Sequence, residues 1–254
     1  MTPEKDLKLV NTDLQFRCHH IILEVSNLKI KKEDPFLKIA TDIFKQFVSS
    51  SKIVGLGSGS SVASTLVHLA NLSSGVDLKF VPTSIQIKIA AESLGLNIAD
   101  EGRIPEIDFA LDGADQIDSN FNMIKGGGGA LLKEKIVLET ARTFVIVADK
   151  VKFVKRFEMP VPIEVHPFAR ISVLYLLEKM GLSPKLRLVA KGYPYITENG
   201  NIVYDTAFSP THNLRGMEED IKTIPGVIEV GFFTKKANCF YSINPDRTYS
   251  IFSP

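Results

Sequence analysis

Net charge, cysteine and long apolar runs are all scarce in this chain of 254 residues. Thirty basic against 29 acidic side chains leave +1, so no global field draws in nucleic acid or an anionic membrane, and any anion selectivity must be local. Two cysteines, Cys18 and Cys239, are too few for a disulfide framework and fit a reducing compartment. No apolar run approaches the roughly 18 residues of a membrane span. Residues 1–11 alternate charges, with no apolar segment behind them of the kind a secretory signal carries. Neither an internal repeat nor a low-complexity segment is present. The expectation is a cytoplasmic protein with no membrane or nucleic-acid partner, whose 44% hydrophobic residues suffice for one large or two small domains.

Chemistry is concentrated in residues 108–134, DFALDGADQIDSNFNMIKGGGGALLKE. An apolar lead-in (Ile107, Phe109, Ala110, Leu111) stops at Asp112, Gly113, Ala114 and Asp115, the pattern of a buried strand delivering two carboxylates to the loop at its end. Lys125 follows, then Gly126, Gly127, Gly128 and Gly129, then good helix formers with Leu132 and Ile136 four apart. Glu134 therefore falls in the early turns of a helix. Glycines let backbone N–H groups approach a ligand closely, and a helix start adds unpaired donors that favour an anion. GGGG alone can be a linker and DGAD alone a surface turn, but together with Lys125 and Glu134 they describe a base beside an oxyanion cradle.

Upstream, residues 1–33 form an extension of no assigned role; its Cys18-His19-His20 cluster lacks the four spaced ligands of structural zinc. Asp34 before Pro35 predicts a helix over 35–48, with Lys38 in its first turn. Residues 52–56 read as a strand, followed by Gly57, Ser58, Gly59, Ser60 and Ser61 and a helix with Val62, Leu66 and Leu69 on one face. The dinucleotide fingerprint fails here, because its third glycine would fall on Ser60 or Val62. The P-loop fails too, since no Gly-Lys-Ser/Thr follows. What remains suits one small phosphate monoester on backbone N–H groups and three hydroxyls.

Strands over 78–81, 107–111 and 144–147 follow, ending respectively in Pro82-Thr83-Ser84, in DGAD and in Ala148-Asp149-Lys150-Val151-Lys152. Alternation with helices implies parallel strands, which puts all four polar ends on one sheet edge, where ligands of open α/β sheets bind. Lys125 and Lys152 supply that edge with local positive charge. After Met159-Pro160 the order is a strand over 161–165, a helix over 168–180, a strand over 186–189, a hairpin of 195–197 with 202–204, a helix over 214–224 and a strand over 227–233. This βαββαβ order suggests a split-βαβ, ferredoxin-like unit without a catalytic cluster, in which His166 and His212 are structural. Residues 239–252 return as edge strands. The expected fold is α/β: a Rossmann-like, mostly parallel core (34–158 and 232–254) with a smaller inserted α+β domain (159–231).

DGAD followed by KGGGGALLKEK resembles the signature of ribose-5-phosphate isomerase, type A, approximately DGADE followed by KGGGGALLREK. The resemblance covers roughly Asp34 to the end. It implies an aldose-ketose isomerase that interconverts D-ribose 5-phosphate and D-ribulose 5-phosphate in the pentose phosphate pathway without a cofactor or metal, as a homodimer or homotetramer. Carried onto this chain, it makes Glu134 the catalytic base and sets Asp112, Asp115 and Lys125 around the reacting carbons. Ser58, Gly59, Ser60, Ser61, Gly113, Ala114, Gly126, Gly127, Gly128 and Lys152 then bind the substrate and its phosphate; the match at Lys38 is too loose to add it. Serine stands at 58 and 61 where the family often has threonine, Gln116 replaces the acid of DGADE, and the extension has no counterpart. Two rivals are weaker. A sugar-phosphate-sensing regulatory domain would normally carry a helix-turn-helix, for which residues 1–32 show no basic face. An amino-sugar-phosphate isomerase would want a histidine at the same edge, and His68 lies late in its helix.

Overall fold

The short apolar runs become strands in the computed structural model, which describes residues 34–100, 106–209 and 213–254; the extension with its Cys18-His19-His20 cluster, and His212, lie outside the described residues. In chain order the elements are α1 (Pro35–Gln46), β1 (Ile53–Leu56), α2 (Ser60–Leu72), β2 (Lys79–Pro82), α3 (Ile85–Ser93), β3 (Ile107–Asp112), β4 (Gln116–Ile117), β5 (Met123–Ile124), α4 (Leu131–Thr140) and β6 (Ala141–Asp149). Then come β7 (Val161–Val165), α5 (Arg170–Lys179), β8 (Ser183–Leu186), β9 (Ile202–Ala207), α6 (Leu214–Lys222), β10 (Val227–Val230), β11 (Phe232–Phe233), β12 (Cys239–Ile243) and β13 (Tyr249–Phe252).

Six strands form the central sheet in the order β13-β12-β6-β3-β1-β2, parallel except for β13. Side chains alternate across it. Val54, Leu56, Phe109, Leu111, Val145 and Val147 pack on one face with α1, α2 and α3, whereas Ala110, Phe144, Ile146 and Ala148 pack on the other with α4. Gly55 is on the α4 side for a steric reason: a Cβ there would stand 2.5 Å from Val137 Cγ1. Helix α1 starts as the sequence predicts, with Asp34 Oδ1 accepting the Phe36 N–H at 3.0 Å and Pro35 at the first helical position. From β1 the chain steps outward to β2, then jumps back across β1 to β3. The ends of β1 and β3 are therefore neighbours at the point where the winding reverses, the place where such sheets open a crevice.

The second sheet has the order β10-β7-β9-β8, all antiparallel, so β7 and β8 flank β9 as a split βαβ requires. A three-stranded ribbon, β11-β5-β4, adjoins both sheets in sequence. Several local expectations are corrected. The strand expected at 186–189 lies earlier, at Ser183–Leu186, where Pro184 is tolerated because β8 is an edge. The expected 195–204 hairpin reduces to one bridge, Ile196 to Ile202, because β9 pairs with β7 and β8 instead. The expected strand over 227–233 breaks at Gly231 into β10 and β11, which join different sheets. Gly231 donates to Pro162 O, and a Cβ on it would lie 2.5 Å from Lys125 O, so the chain is pinched there. Of the tail, only β13 is an edge; β12 is interior, beside β6. Among the described residues no helix is long and apolar enough to cross a membrane.

Candidate active site

The loops after β1 and β3 are bound to each other before any ligand is considered. Gly57 N–H donates to Leu111 O at 2.8 Å, and a Cβ on Gly57 would lie 1.9 Å from Asp112 Oδ1, so only glycine admits the Asp112 side chain at this point. Ser58 Oγ shares hydrogen bonds of 2.8 Å with both Thr83 Oγ1 and Ser84 Oγ, which ties the loop after β2 to the same edge. Beyond Ser58 the chain turns through Gly59 at φ +101°, a value that favours glycine, and enters α2 at Ser60. Residues 58–61 line the cavity, which brings the first N–H groups of this helix, without intrahelical acceptors, to its wall together with Ser60 and Ser61.

Strands β4 and β5 fold back so that Lys125 leaves β5 underneath the loop after β3. Its Nζ donates to Gly113 O at 2.7 Å and stands 3.0 Å from Asp112 Oδ2 and 3.3 Å from Glu134 Oε2. Glu134 reaches this point from the first turn of α4. All three side chains are buried, with Asp112 at 0%, Lys125 at 2% and Glu134 at 5% exposure, so one cation is shared between two carboxylates out of water. Burial pushes Glu134 up to about 8: Lys125 pulls the other way, and the negative charges of Asp112 and Asp115 add to the rise. Burial also raises Asp112, against the pull of Lys125 and of the Gly113 and Ser58 N–H groups. For Lys125 burial alone would lower the proton affinity, but Asp112 and Glu134 outweigh it and hold the ammonium charged.

Above this cluster lies a cavity of about 170 Å³, lined by residues 58–61, 113–115 and 125–128, Glu134, Ala148, Asp149 and Lys152. It is smaller than the roughly 300–1,000 Å³ of drug-sized sites, as a small metabolite demands. The structure thus brings together Ser58, Gly59, Ser60, Ser61, Gly113, Ala114, Asp115, Lys125, Gly126, Gly127, Gly128, Glu134 and Lys152. Asp112 is the exception. It sits beneath the cavity and not on its wall, so its reach to a ligand runs through Lys125 and the Ser58 backbone. Asp115 does face the cavity, while its Oδ2 accepts the Gly127 N–H at 2.7 Å. Lys38 is exposed and not part of the wall. Gln116 points elsewhere too, its Oε1 accepting from Glu158 N at 2.9 Å and Met159 N at 3.3 Å. His68 pairs with Asp34 at 3.0 Å and His166 caps a short turn, both away from the cavity. Among the described residues no group of three or more His, Cys, Asp or Glu could hold a metal ion.

Sequence reasoning missed the contribution of the second sheet. Arg187, after β8, donates through Nη1 to Gly126 O at 2.9 Å and Gly127 O at 3.1 Å, and Tyr195 Oη donates to Gly128 O at 2.8 Å. Glu198 accepts from Ile85 N at 2.8 Å and pairs with Lys133 at 3.2 Å. These partners lie some sixty or more residues apart in sequence, and no spacing announces them.

The chain matches the family described as ribose 5-phosphate isomerase A (phosphoriboisomerase A) over residues 79–247. It is 43% identical over 207 residues to ribose-5-phosphate isomerase A of Methanosarcina acetivorans, covering 80% of this chain and 88% of that one. With ribose-5-phosphate isomerase of Dictyostelium discoideum it shares 39% identity over 213 residues, 81% of this chain and 91% of the relative. A solved structure of D-ribose-5-phosphate isomerase in complex with phospho-erythronic acid superposes with a TM-score of 0.80 at 35% identity, over 87% of this chain and 98% of that one. Family match, sequence identity and fold agree, and the chain belongs to the ribose 5-phosphate isomerase A family.

Proposed function

We propose that this protein interconverts D-ribose 5-phosphate and D-ribulose 5-phosphate through an enediolate, with Glu134 as the base. The observation that carries the mechanism is the placing of Glu134 in the same small cavity as the serine turn, its proton affinity raised toward neutral pH. The phosphate sits on the α2 start and the hydroxyls of residues 58–61, with Lys152 as counter-charge. That anchor fixes the distance to the reacting carbons, which lie toward residues 113–115 and the glycine loop. Glu134 takes the C2 proton and returns it to C1, while the oxygens of the enediolate receive hydrogen bonds from the loop, worth several kcal/mol in comparable sites. Asp115, facing the cavity, serves ring opening and proton movement between hydroxyls. Asp112 is a positioning residue that keeps Lys125 charged and in place.

Phospho-erythronic acid, the compound held by one solved relative, has a planar carboxylate at one end and a phosphate at the other. Those groups mimic the enediolate and the anchor, so the acid should compete with substrate here. The regulatory reading is dropped, since the relatives carry an isomerase's name and Glu134 is in place. The decisive test is product formation with ribose 5-phosphate as sole addition. Glu134→Gln should then lower kcat by about 10² to 10⁴, and near-normal turnover by that variant would refute the assignment. Cytoplasmic residence and a homo-oligomeric state belong to the same proposal. Exposed Phe168 and Tyr193 on the second sheet's side support self-association, and light scattering checks it.

A further inference from the structure

We infer that Arg187 is a positioning residue for the reaction: from outside the cavity it aims and polarises the Gly128 N–H, which with that of Gly126 is a glycine-loop donor left to meet the enediolate oxygen. This inference rests on the isomerase reading above. Of the four loop amides, those of Gly126 and Gly128 have no acceptor among the described residues, and the other two are taken. Gly127 N–H is taken by Asp115 Oδ2 at 2.7 Å, and Gly129 N–H by Gly126 O at 3.0 Å. Gly128 N–H has no acceptor within the described residues, and Gly128 lines the cavity with open space where a Cβ would be. In a trans peptide the N–H points opposite to the carbonyl of the preceding residue. For Gly128 that carbonyl is Gly127 O, on which Arg187 Nη1 sits at 3.1 Å from a place outside the cavity wall. Fixing this carbonyl outward therefore fixes the N–H inward.

The guanidinium is itself well anchored. Its Nε donates to Asp205 Oδ2 at 2.9 Å, Nη2 pairs with Asp205 Oδ1, and its plane lies over the Tyr195 ring, 5.6 Å from the centroid. A charged donor on the carbonyl also withdraws electron density through the amide, strengthening the N–H as a donor. Tyr195 makes the informative contrast. It holds Gly128 O, and so aims the Gly129 N–H, which is already bonded within the loop. A device that merely stiffened the loop would need both residues alike. One that aims the Gly128 donor needs Arg187 far more.

Four measurements on the full-length protein test this. Wild type and Glu134→Gln are assayed first, because an inactive wild type sinks the isomerase reading itself and not the role of Arg187. In an active background, Arg187→Met should lower kcat roughly tenfold to hundredfold, a fraction of what loss of an oxyanion donor costs, with KM for ribose 5-phosphate within about threefold. Tyr195→Phe should stay within about twofold of wild type. Phospho-erythronic acid should inhibit Arg187→Met more weakly by a factor like the loss in kcat, while inhibition by inorganic phosphate is unchanged. Should Arg187→Met fail to fold, Asp205→Asn releases the guanidinium and should show the same kcat loss in smaller measure. The inference is overturned if kcat is unaffected, if Tyr195→Phe is as damaging as the arginine variant, or if phosphate and phospho-erythronic acid lose affinity together.

Discussion

A carboxylate that must take a proton from carbon works best when its own proton affinity lies close to the pH of the medium. Glu134 meets this condition through burial among like charges, which pushes it up to about 8. The base must be ionised to act, so kcat/KM in the wild type should climb about tenfold per pH unit below that value and level off above it. The same displacement has a cost in stability whose sign is fixed. Between the usual value of 4.5 and about 8 the folded protein keeps a proton that the unfolded chain has released, so stability falls as pH rises through this window. Thermal melts of wild type should thus decline from pH 5 to pH 8 more steeply than those of Glu134→Gln; parallel curves would show that burial does not perturb this carboxyl. Gln116 gives the opposite kind of prediction. It stands where the family signature carries an acid, directly after the Asp115 of the site, yet its oxygen serves the Glu158 and Met159 N–H groups. A carboxylate would accept the same two bonds, so Gln116→Glu should leave kcat, KM and their pH dependence within about twofold, against about 10²-fold or more for a lost base.

At the scale of elements, the site depends on two loops that interlock through glycine. A methyl on Gly57 would occupy the space of Asp112 Oδ1, forcing aside the carboxylate that holds Lys125. Gly57→Ala should therefore destabilise by about 1–3 kcal/mol, as overpacking does. It should also cost roughly 10²-fold in kcat, because a displacement near 1 Å misplaces the whole cluster; denaturant titration and steady-state assays measure the two effects. Much of this geometry is legible in the sequence. Four apolar runs with polar ends imply one parallel edge, and Glu134 falls one turn into a helix because the glycines before it cannot sustain one. What stayed hidden had no local signal. The shift of β8 toward Pro184 and the break at Gly231 were decided by which sheet each segment joined, and tertiary pairing overrides propensity there. Burial of Asp112 was equally invisible, since a carboxylate at a strand end reads the same above a cavity or below it.

At the scale of the molecule, the question is what holds the second sheet against the site it braces. We propose that residues 34–158 with 232–254 form one domain and 159–231 another. The separate apolar cluster around Val161, Ile163, Val173, Leu177 and Ile221 supports the division. The joint between them is polar and mostly buried. Lys135, one residue beyond Glu134, donates to Val230 O at 2.7 Å and Phe232 O at 2.8 Å, on either side of the Gly231 break. It also pairs with Glu218 of α6 and with Glu229, and lies 4.7 Å from the centroid of the Phe233 ring. Removing it would strand Glu218, whose remaining partner is Thr234, whereas Glu229 keeps Lys222 and the Val230 N–H. Lys135→Met should therefore cost about 3 kcal/mol, the scale of breaking a buried pair, and adding Glu218→Gln should recover a good part of it by removing the stranded charge. Urea unfolding of the single and double variants gives the coupling directly. If the joint rather than the core has been weakened, hydrogen exchange should quicken first at β10, β11 and α4, and kcat should fall before the central sheet loses protection.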